Sequence, residues 1–227
     1  MSARKRIAVI VAGGNGTRMG SALPKQFLPL CGRPVLYHTL RTFLDAYGDM
    51  TIVLVLPAEH REHADDVLKM LDHTPRIRQV AGGDTRFQSV KNGLGEIKDP
   101  AVVFVHDGVR PLLSVALIHR CYDQALTGGS AIPVVPVRDS IRRKEDGRSE
   151  AVDRDKFCLV QTPQTFLSEI LLPAFAQPYQ PHFTDEATVV EAAGHTLCLV
   201  SGEERNIKIT HPTDLLIAER LLATPNP

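Results

Sequence analysis

The stretch IAVIVAGGNGTRMGSALPKQF, residues 7–27, decides the fold of this 227-residue chain. Its apolar beginning, IAVIVA, is typical of a buried strand, and three of the four residues that follow are glycine. Because glycine has no side chain, backbone N–H groups in such a loop can converge on one anion. The loop is therefore predicted to bind phosphate. The positions predicted to contact the ligand are Ala12, Gly13, Gly14 and Gly16.

Two cations, Arg18 and Lys25, follow these glycines, with Pro24 in the turn between them. Both can be aimed at one triphosphate as fixed positive charges. The loop is not a dinucleotide fingerprint, because Met19 stands where the third glycine belongs, and it lacks the G-K-[ST] of a Walker A loop. A plain glycine turn with two surface cations is the alternative interpretation.

Short runs rich in Val and Ile alternate with segments of helical periodicity, which is the pattern of βαβ units. The predicted strands are Ile7–Ala12, Thr51–Leu56, Ile77–Val80, Ala101–His106, Ala131–Val135, Phe157–Val160 and Leu197–Val200. The predicted helices are Val35–Ala46, Glu59–Leu71, Phe87–Gly95, Val115–Leu126, Leu167–Phe175, Asp185–Ala193 and Thr213–Leu222. We therefore predict one α/β domain over residues 1–227, a mostly parallel twisted sheet with helices on both faces.

One segment, residues 137–155, interrupts this alternation. Two short β-like pieces, DSIRR and SEAVD, flank Asp146 and Gly147, and Asp-Gly is typical of a tight hairpin turn. An exposed charged loop and an arm that reaches another subunit are equally compatible with the segment alone. Because an isolated hairpin is marginally stable in water, we predict a β-hairpin arm that forms a homodimer.

The composition narrows the possible functions. Lys plus Arg and Asp plus Glu both total 26, so no overall field attracts the chain to nucleic acid or membrane, and neither partner is expected. The four cysteines are widely spaced, which predicts buried free thiols rather than a zinc site or disulfides. A short basic start without a signal-peptide core predicts a cytoplasmic protein, and we expect no fused second enzyme after the last helix.

The string G-G-x-G-x-R-M-G followed by P-K-Q-F resembles the signature of nucleotidyltransferases that activate phosphorylated sugars and polyols. This resemblance implies that the α/β domain has the Rossmann-like nucleotidyltransferase fold. Further motifs resemble the 2-C-methyl-D-erythritol 4-phosphate cytidylyltransferase family and, less closely, the ribitol 5-phosphate cytidylyltransferases. The matching pieces are G-G-D-T-R-F-Q-S-V (82–90), H-D-G-V-R-P (106–111), P-V-R-D-S (136–140), V-D-R (152–154), Q-T-P-Q (161–164), T-D-E-A (184–187) and N-I-K-I-T (206–210). Ser140 departs from the threonine expected there but keeps the hydroxyl.

These motifs predict two sides of a site. The backbone from Gly82 to Asp84 can close on a base edge while Arg86 and Ser89 face the nucleotide, which predicts a pyrimidine pocket. A helix N-cap is a structural role for Asp84 that is compatible with this one. Asp107 ends a buried strand and is a candidate ligand of magnesium, a ribose hydroxyl or the acceptor. The residues predicted to bind the acceptor phosphate are Arg110, Arg154 and Lys208, with hydroxyls from Ser140 and Thr162. His60 and His63 share a helix face, and without a third ligand we predict a solvated face.

The resemblance implies a reaction of CTP with 2-C-methyl-D-erythritol 4-phosphate to give the CDP-polyol and pyrophosphate, with Mg²⁺ as cofactor. The acceptor phosphate is already ionised, so no protein nucleophile is required and catalysis consists of positioning and charge neutralisation. Arg18 and Lys25 would act on the triphosphate, and Arg154 and Lys208 on the acceptor. The alternatives are ribitol 5-phosphate as acceptor and a non-catalytic nucleotide-binding module.

Overall fold

The computed structural model describes residues 4–14, 23–72 and 74–224. Its strands are β1 (Lys5–Val11), β2 (Pro29–Leu30), β3 (Arg33–Pro34), β4 (Thr51–Leu56), β5 (Ile77–Ala81), β6 (Ala101–Asp107), β7 (Ser130–Pro136), β8 (Arg142–Glu145), β9 (Arg148–Ala151), β10 (Cys158–Val160), β11 (Gln164–Leu167) and β12 (Leu199–Ser201). Its α-helices are α1 (Val35–Ala46), α2 (Arg61–Lys69), α3 (Arg86–Leu94), α4 (Val115–Gly128), α5 (Ser168–Ala174), α6 (Glu186–Ala192) and α7 (Pro212–Ala223). The predicted elements are all present, with their ends displaced by a few residues.

The main sheet has eight strands in the order β10–β7–β11–β6–β1–β4–β5, with β12 paired to β7. Strands β6, β1, β4 and β5 run parallel to one another. Alternate residues of β1 face opposite layers: Ala8 and Ile10 pack with α1, α2 and α4, whereas Ile7 and Val9 pack with α3, α5 and α6. The predicted fold class, a mostly parallel sheet with helices on both faces, is confirmed.

Strand β11 was missing from the predicted elements, and the helix predicted from Leu167 begins instead at Ser168. β11 lies antiparallel between β6 and β7, with Gln164 opposite Val105 and Thr165 opposite Ala131. Its polar beginning hid it from a search for apolar runs. The structure buries Gln164 because its amide group bonds to the start of α6.

The segment 137–155 contains the predicted hairpin. Strands β8 and β9 pair antiparallel, and Asp146 and Gly147 form a two-residue turn with φ of 46° and 76°. Positive φ at both central residues is the geometry that Asp-Gly favours. Every residue of the two strands is exposed, and the pair forms a sheet separate from the main one.

The cysteines correct one expectation. Only Cys121 is buried, whereas Cys31 and Cys158 are exposed and Cys198 is partly exposed, although all four are free thiols. Wide spacing along the chain excluded a zinc cluster but carried no information on burial. Within the described residues, no helix is both long and apolar enough to cross a membrane.

Gly93 tests how closely α3 packs on the sheet. A Cβ atom at Gly93 would lie 2.7 Å from Val9 Cγ1 and 2.8 Å from Val55 Cγ2. Overpacking costs about 1–3 kcal/mol, against the ~1 kcal/mol that alanine gains over glycine in a helix. We therefore expect Gly93→Ala to lower the free energy of unfolding in urea by up to about 2 kcal/mol. Gly48→Ala, whose Cβ would meet nothing within 4 Å, should leave it nearly unchanged; equal stability of the two variants would contradict this packing.

Candidate active site

A cleft of about 300 Å³ opens at the carboxyl ends of the parallel strands. From β1 the chain proceeds to β4 and β5 on one side, whereas β6 lies on the other side of β1. Such a reversal of strand order leaves a crevice beyond the strand ends, where α/β proteins bind ligands. The cleft is lined by Val11, Ala12, Gly13, Gly14, Lys25, Gln26, Gly83, Asp84, Thr85, Arg86, Ser89, Asp107, Val109 and Lys208.

The turn that carries Lys25 is held from two sides. Gln26, fully buried, donates from Nε2 to the carbonyl oxygen of Ala12 at 2.8 Å, which ties the turn to the end of β1. Phe27 packs against the rings of His60 and His63, with centroid distances of 5.8 Å and 5.2 Å. His63 is nevertheless exposed and His60 partly exposed, as the predicted solvated helix requires. Two predicted site residues, Gly16 and Arg18, lie outside the described residues.

The opposite wall is built by the beginning of α3. Gly83 donates its N–H to Ser89 Oγ at 3.1 Å, which closes the loop onto the first turns of the helix. Thr85 is the N-cap, accepting from Gln88 N at 3.0 Å, so the alternative of Asp84 as N-cap is wrong. Gly82 lies behind the lining residues, with its N–H bonded to Leu56 O at 2.9 Å.

Asp107, at the end of β6, is surrounded by three cations. Its side chain is 9% exposed and lies 3.0 Å from Lys208 Nζ, 3.3 Å from Arg110 Nε and 3.5 Å from Arg86 Nη2. Burial alone would raise the pKa of Asp107, but the charges of Arg86, Lys208 and Arg110 outweigh it and hold this pKa well below its ordinary value. The carboxylate is therefore ionised at every physiological pH.

Behind Asp107, a buried polar network fixes the end of β6. The Thr162 hydroxyl accepts from Asp107 N at 3.2 Å and lies 2.9 Å from His106 Nδ1, while His106 Nε2 lies 3.3 Å from Arg110 O. A carbonyl oxygen only accepts, so Nε2 carries the imidazole proton and Nδ1 accepts from the threonine. Burial lowers the pKa of His106 to about 3, and the ring is neutral. The Thr162 hydroxyl therefore donates its proton in the hydrogen bond to His106 Nδ1.

The residues predicted to bind the acceptor are divided among three places. Lys208 lines the cleft. Arg110, only 11% exposed, donates from Nη1 to Asn206 O at 2.8 Å and lies with Thr162 behind the cleft wall. Ser140 and Arg154 are exposed within the arm and do not line the cleft; Arg154 donates to Arg138 O.

Sequence reasoning assigned no site role to the lining residues Val11, Thr85 and Val109. It also omitted two polar side chains that the structure brings to the site, Gln26 and Glu186. Both belong to quoted motifs, P-K-Q-F and T-D-E-A, but neither was assigned a role. Glu186 is fully buried and forms a two-point ion pair with Arg86, with 3.1 Å between Oε2 and Nη2. Membership of these motifs could have pointed to both residues. The sequence did not reveal that Arg86 and Glu186, one hundred positions apart, form a pair.

The described part of the chain contains no group of three or more His, Cys, Asp or Glu side chains arranged to hold a metal ion. The cleft does present the carboxylates of Asp84 and Asp107. Mg²⁺ in nucleotide sites is commonly held by one or two carboxylates together with substrate phosphates. The donor set therefore fits a magnesium ion that is bound mainly by a nucleotide.

A twisted α/β sheet with a glycine loop and fixed cations at its switch point defines a nucleotidyltransferase-like fold. The family model described as IspD, 2-C-methyl-D-erythritol 4-phosphate cytidylyltransferase, matches residues 6–224. The chain belongs to this family.

Similar proteins and solved structures support the same family assignment. The 2-C-methyl-D-erythritol 4-phosphate cytidylyltransferase of Bacteroides thetaiotaomicron is 47% identical over 218 residues, which cover 96% of this chain and 100% of the relative. That of Porphyromonas gingivalis is 47% identical over 222 residues, or 97% and 99% of the two chains. A crystal structure of 4-diphosphocytidyl-2C-methyl-D-erythritol synthase from Anaerococcus prevotii superposes with a TM-score of 0.83 at 27% identity, covering 97% and 99%. The crystal structure of the 2-C-methyl-D-erythritol 4-phosphate cytidylyltransferase from Thermus thermophilus superposes with a TM-score of 0.75 at 32% identity, covering 95% of this chain and 98% of that one.

The neutral His106 predicts a pH dependence of stability. Its folded pKa of about 3 lies below the unfolded value of about 6.5, so below pH 6.5 the unfolded chain binds a proton that the folded chain does not bind. The contribution of His106 to the free energy of unfolding is therefore complete above pH 6.5 and falls by about 2 kcal/mol by pH 5. We expect His106→Gln to lose about 2 kcal/mol less than the wild type between pH 7 and pH 5 in urea unfolding. His195→Gln, at an exposed position, should keep the wild-type profile; parallel profiles for all three proteins would contradict the neutral ring.

Proposed function

We propose that this protein transfers the cytidylyl group of CTP to 2-C-methyl-D-erythritol 4-phosphate and releases pyrophosphate, a step of isoprenoid biosynthesis. Membership of the family over residues 6–224 supports this reaction. One structural observation carries it: a single cleft joins the glycine backbone and Lys25 on one side to Lys208 and Asp107 on the other. A polyanionic nucleotide and a phosphorylated acceptor would meet positive charge from both ends.

The chemistry follows from the charges of the reactants. An ionised oxygen of the acceptor phosphate forms a bond to the α-phosphorus of CTP, and the bond from this phosphorus to the bridging oxygen breaks. Pyrophosphate leaves with that electron pair, so no proton has to be removed from the nucleophile. The backbone N–H groups of Gly13 and Gly14 would bind the triphosphate, and Lys25, with Arg18, would stabilise charge on the α-phosphate and leaving group. Lys208 would orient the acceptor.

Asp107 is the residue that would hold the magnesium ion together with the nucleotide phosphates, since its carboxylate lines the cleft. The ion supplies charge neutralisation for the phosphate oxygens when the nucleotide is bound. Asp84 and Ser89 line the wall that we assign to the pyrimidine. Both assignments rest on position in the cleft.

The test measures pyrophosphate release with CTP and divalent metal. We expect turnover with 2-C-methyl-D-erythritol 4-phosphate, little with ribitol 5-phosphate, none after chelation of the metal, and much slower reaction with ATP in place of CTP. Pyrophosphate from ribitol 5-phosphate but not from the methylerythritol compound would transfer the protein to the ribitol class. CTP binding without turnover of either acceptor would favour a non-catalytic nucleotide-binding module.

We further propose that the protein is a homodimer in which the arm, residues 137–155, completes the acceptor site of the partner. Among the described residues, strands β8 and β9 of the arm pair only with each other. Beside it, Phe157, Leu159 and Leu199 are 51%, 56% and 58% exposed, and such an apolar patch suits a second copy of the chain. Within one chain, Arg154 stays outside the cleft.

Complementation tests the crossing arm. Lys25→Ala inactivates the core and Arg154→Ala the arm, and the two variants are mixed after subunit exchange. A mixed dimer would combine one intact core with one intact arm, leaving one functional site of two. With random exchange about half of the dimers are mixed, so roughly a quarter of wild-type activity should return. No recovery despite exchange, shown by native mass spectrometry, would mean that Arg154 serves its own subunit.

A further inference from the structure

Glu186 is a buried acid in contact with the cleft wall but not part of its lining. It is the first residue of α6, and its side chain is 1% exposed. Its carboxylate is paired with the guanidinium of Arg86, the first residue of α3, which does line the cleft. A two-point contact between a carboxylate and a guanidinium fixes the orientation of the arginine as well as its charge.

Arg86 lies between two carboxylates. Its Nη2 atom is 3.1 Å from Glu186 Oε2 and 3.5 Å from Asp107 Oδ1, so the guanidinium is held closer to Glu186. Asp107 also faces Arg110 and Lys208. Without the charge of Glu186, Arg86 would be drawn fully onto Asp107 and would compete there with Lys208.

The backbone of Glu186 is itself fixed. Asp185 caps α6 by accepting from Thr188 N at 2.9 Å. Gln164 reaches from β11 to both neighbours, donating to Asp185 Oδ2 at 2.8 Å and accepting from Ala187 N at 2.7 Å. Burial raises the pKa of Glu186, and the charge of Arg86 opposes this rise, so each member of the pair depends on the other. The fold therefore presents Glu186 to Arg86 in one geometry.

We propose that Glu186 is a positioning residue of the nucleotide site: it holds Arg86 in the cleft wall, closer to Glu186 than to Asp107, so that Arg86 does not pair fully with Asp107 and leaves Asp107 and Lys208 to the substrates. This inference rests on the proposed function and adds a residue that acts through another side chain. A buried ion pair that merely stabilised α6 against α3 would affect unfolding and leave nucleotide affinity unchanged.

Calorimetric binding of CTP with magnesium to the full chain separates these roles, because it does not require turnover. Glu186→Gln keeps the shape and removes the charge, and we expect its Kd for CTP to rise about tenfold or more. Val190→Ala, at a fully buried position one turn further along α6, is the matched control. It should lower the melting temperature while CTP affinity stays within about threefold of wild type.

A double variant tests whether Glu186 acts through Arg86, and it also avoids leaving one buried charge alone. Arg86→Gln should weaken CTP binding, and adding Glu186→Gln in that background should change Kd by less than about threefold. The proposal is overturned if Glu186→Gln binds CTP like the wild type, or if the two substitutions weaken binding independently. A wild type that binds CTP but transfers nothing to either polyol phosphate would refute the proposed function alone; a wild type that does not bind CTP would refute both.

Discussion

The buried carboxylate of Asp107 is the group on which the arrangement of the cleft depends. Three cations from different parts of the chain converge on it: Arg86 from α3, Arg110 from the loop after β6, and Lys208 from the segment before α7. Removing an ion from water is costly unless close opposite charges compensate. Asp107 is stable in this position because of the cations, and the cations are held at the cleft because of Asp107. One ion cluster therefore joins the two walls of the cleft.

The polar network behind this cluster explains why polar motifs lie in the core. Thr162 bonds to β6 through His106 and Asp107, and its carbonyl accepts from Asn206 Nδ2 at 2.8 Å. Gln164 continues the same segment to α6. Buried polar groups without partners would be destabilising; in this network Asn206 Oδ1 has no hydrogen-bond partner, whereas the side-chain donors named here all meet acceptors. The motifs Q-T-P-Q and N-I-K-I-T thus fix the distances between the elements that bear the cations.

The sequence predicted the parts of the structure that depend on apolar patterns better than those that depend on polar contacts. Alternation of apolar runs was sufficient for the fold class, because strands covered on both faces must be apolar. It missed β11, since Gln164 and Thr165 are buried by hydrogen bonds rather than by hydrophobicity. Motifs located most of the cleft, including Lys25, Asp107 and Lys208. They did not separate a cation that lines the cleft from one that supports it, as Arg110 does, because that difference depends on distances across the fold.

The charge balance of the cluster bears on how the cleft receives a polyanion. Three cations, Arg86, Arg110 and Lys208, stand against two carboxylates, Asp107 and Glu186, which leaves one net positive charge before Lys25 is counted. The cluster therefore has little excess positive charge. Its cations are already held in place by acidic side chains, so little reorganisation is needed when a phosphate group binds. In a chain with equal numbers of basic and acidic residues, position rather than total charge makes this cleft suited to phosphate transfer.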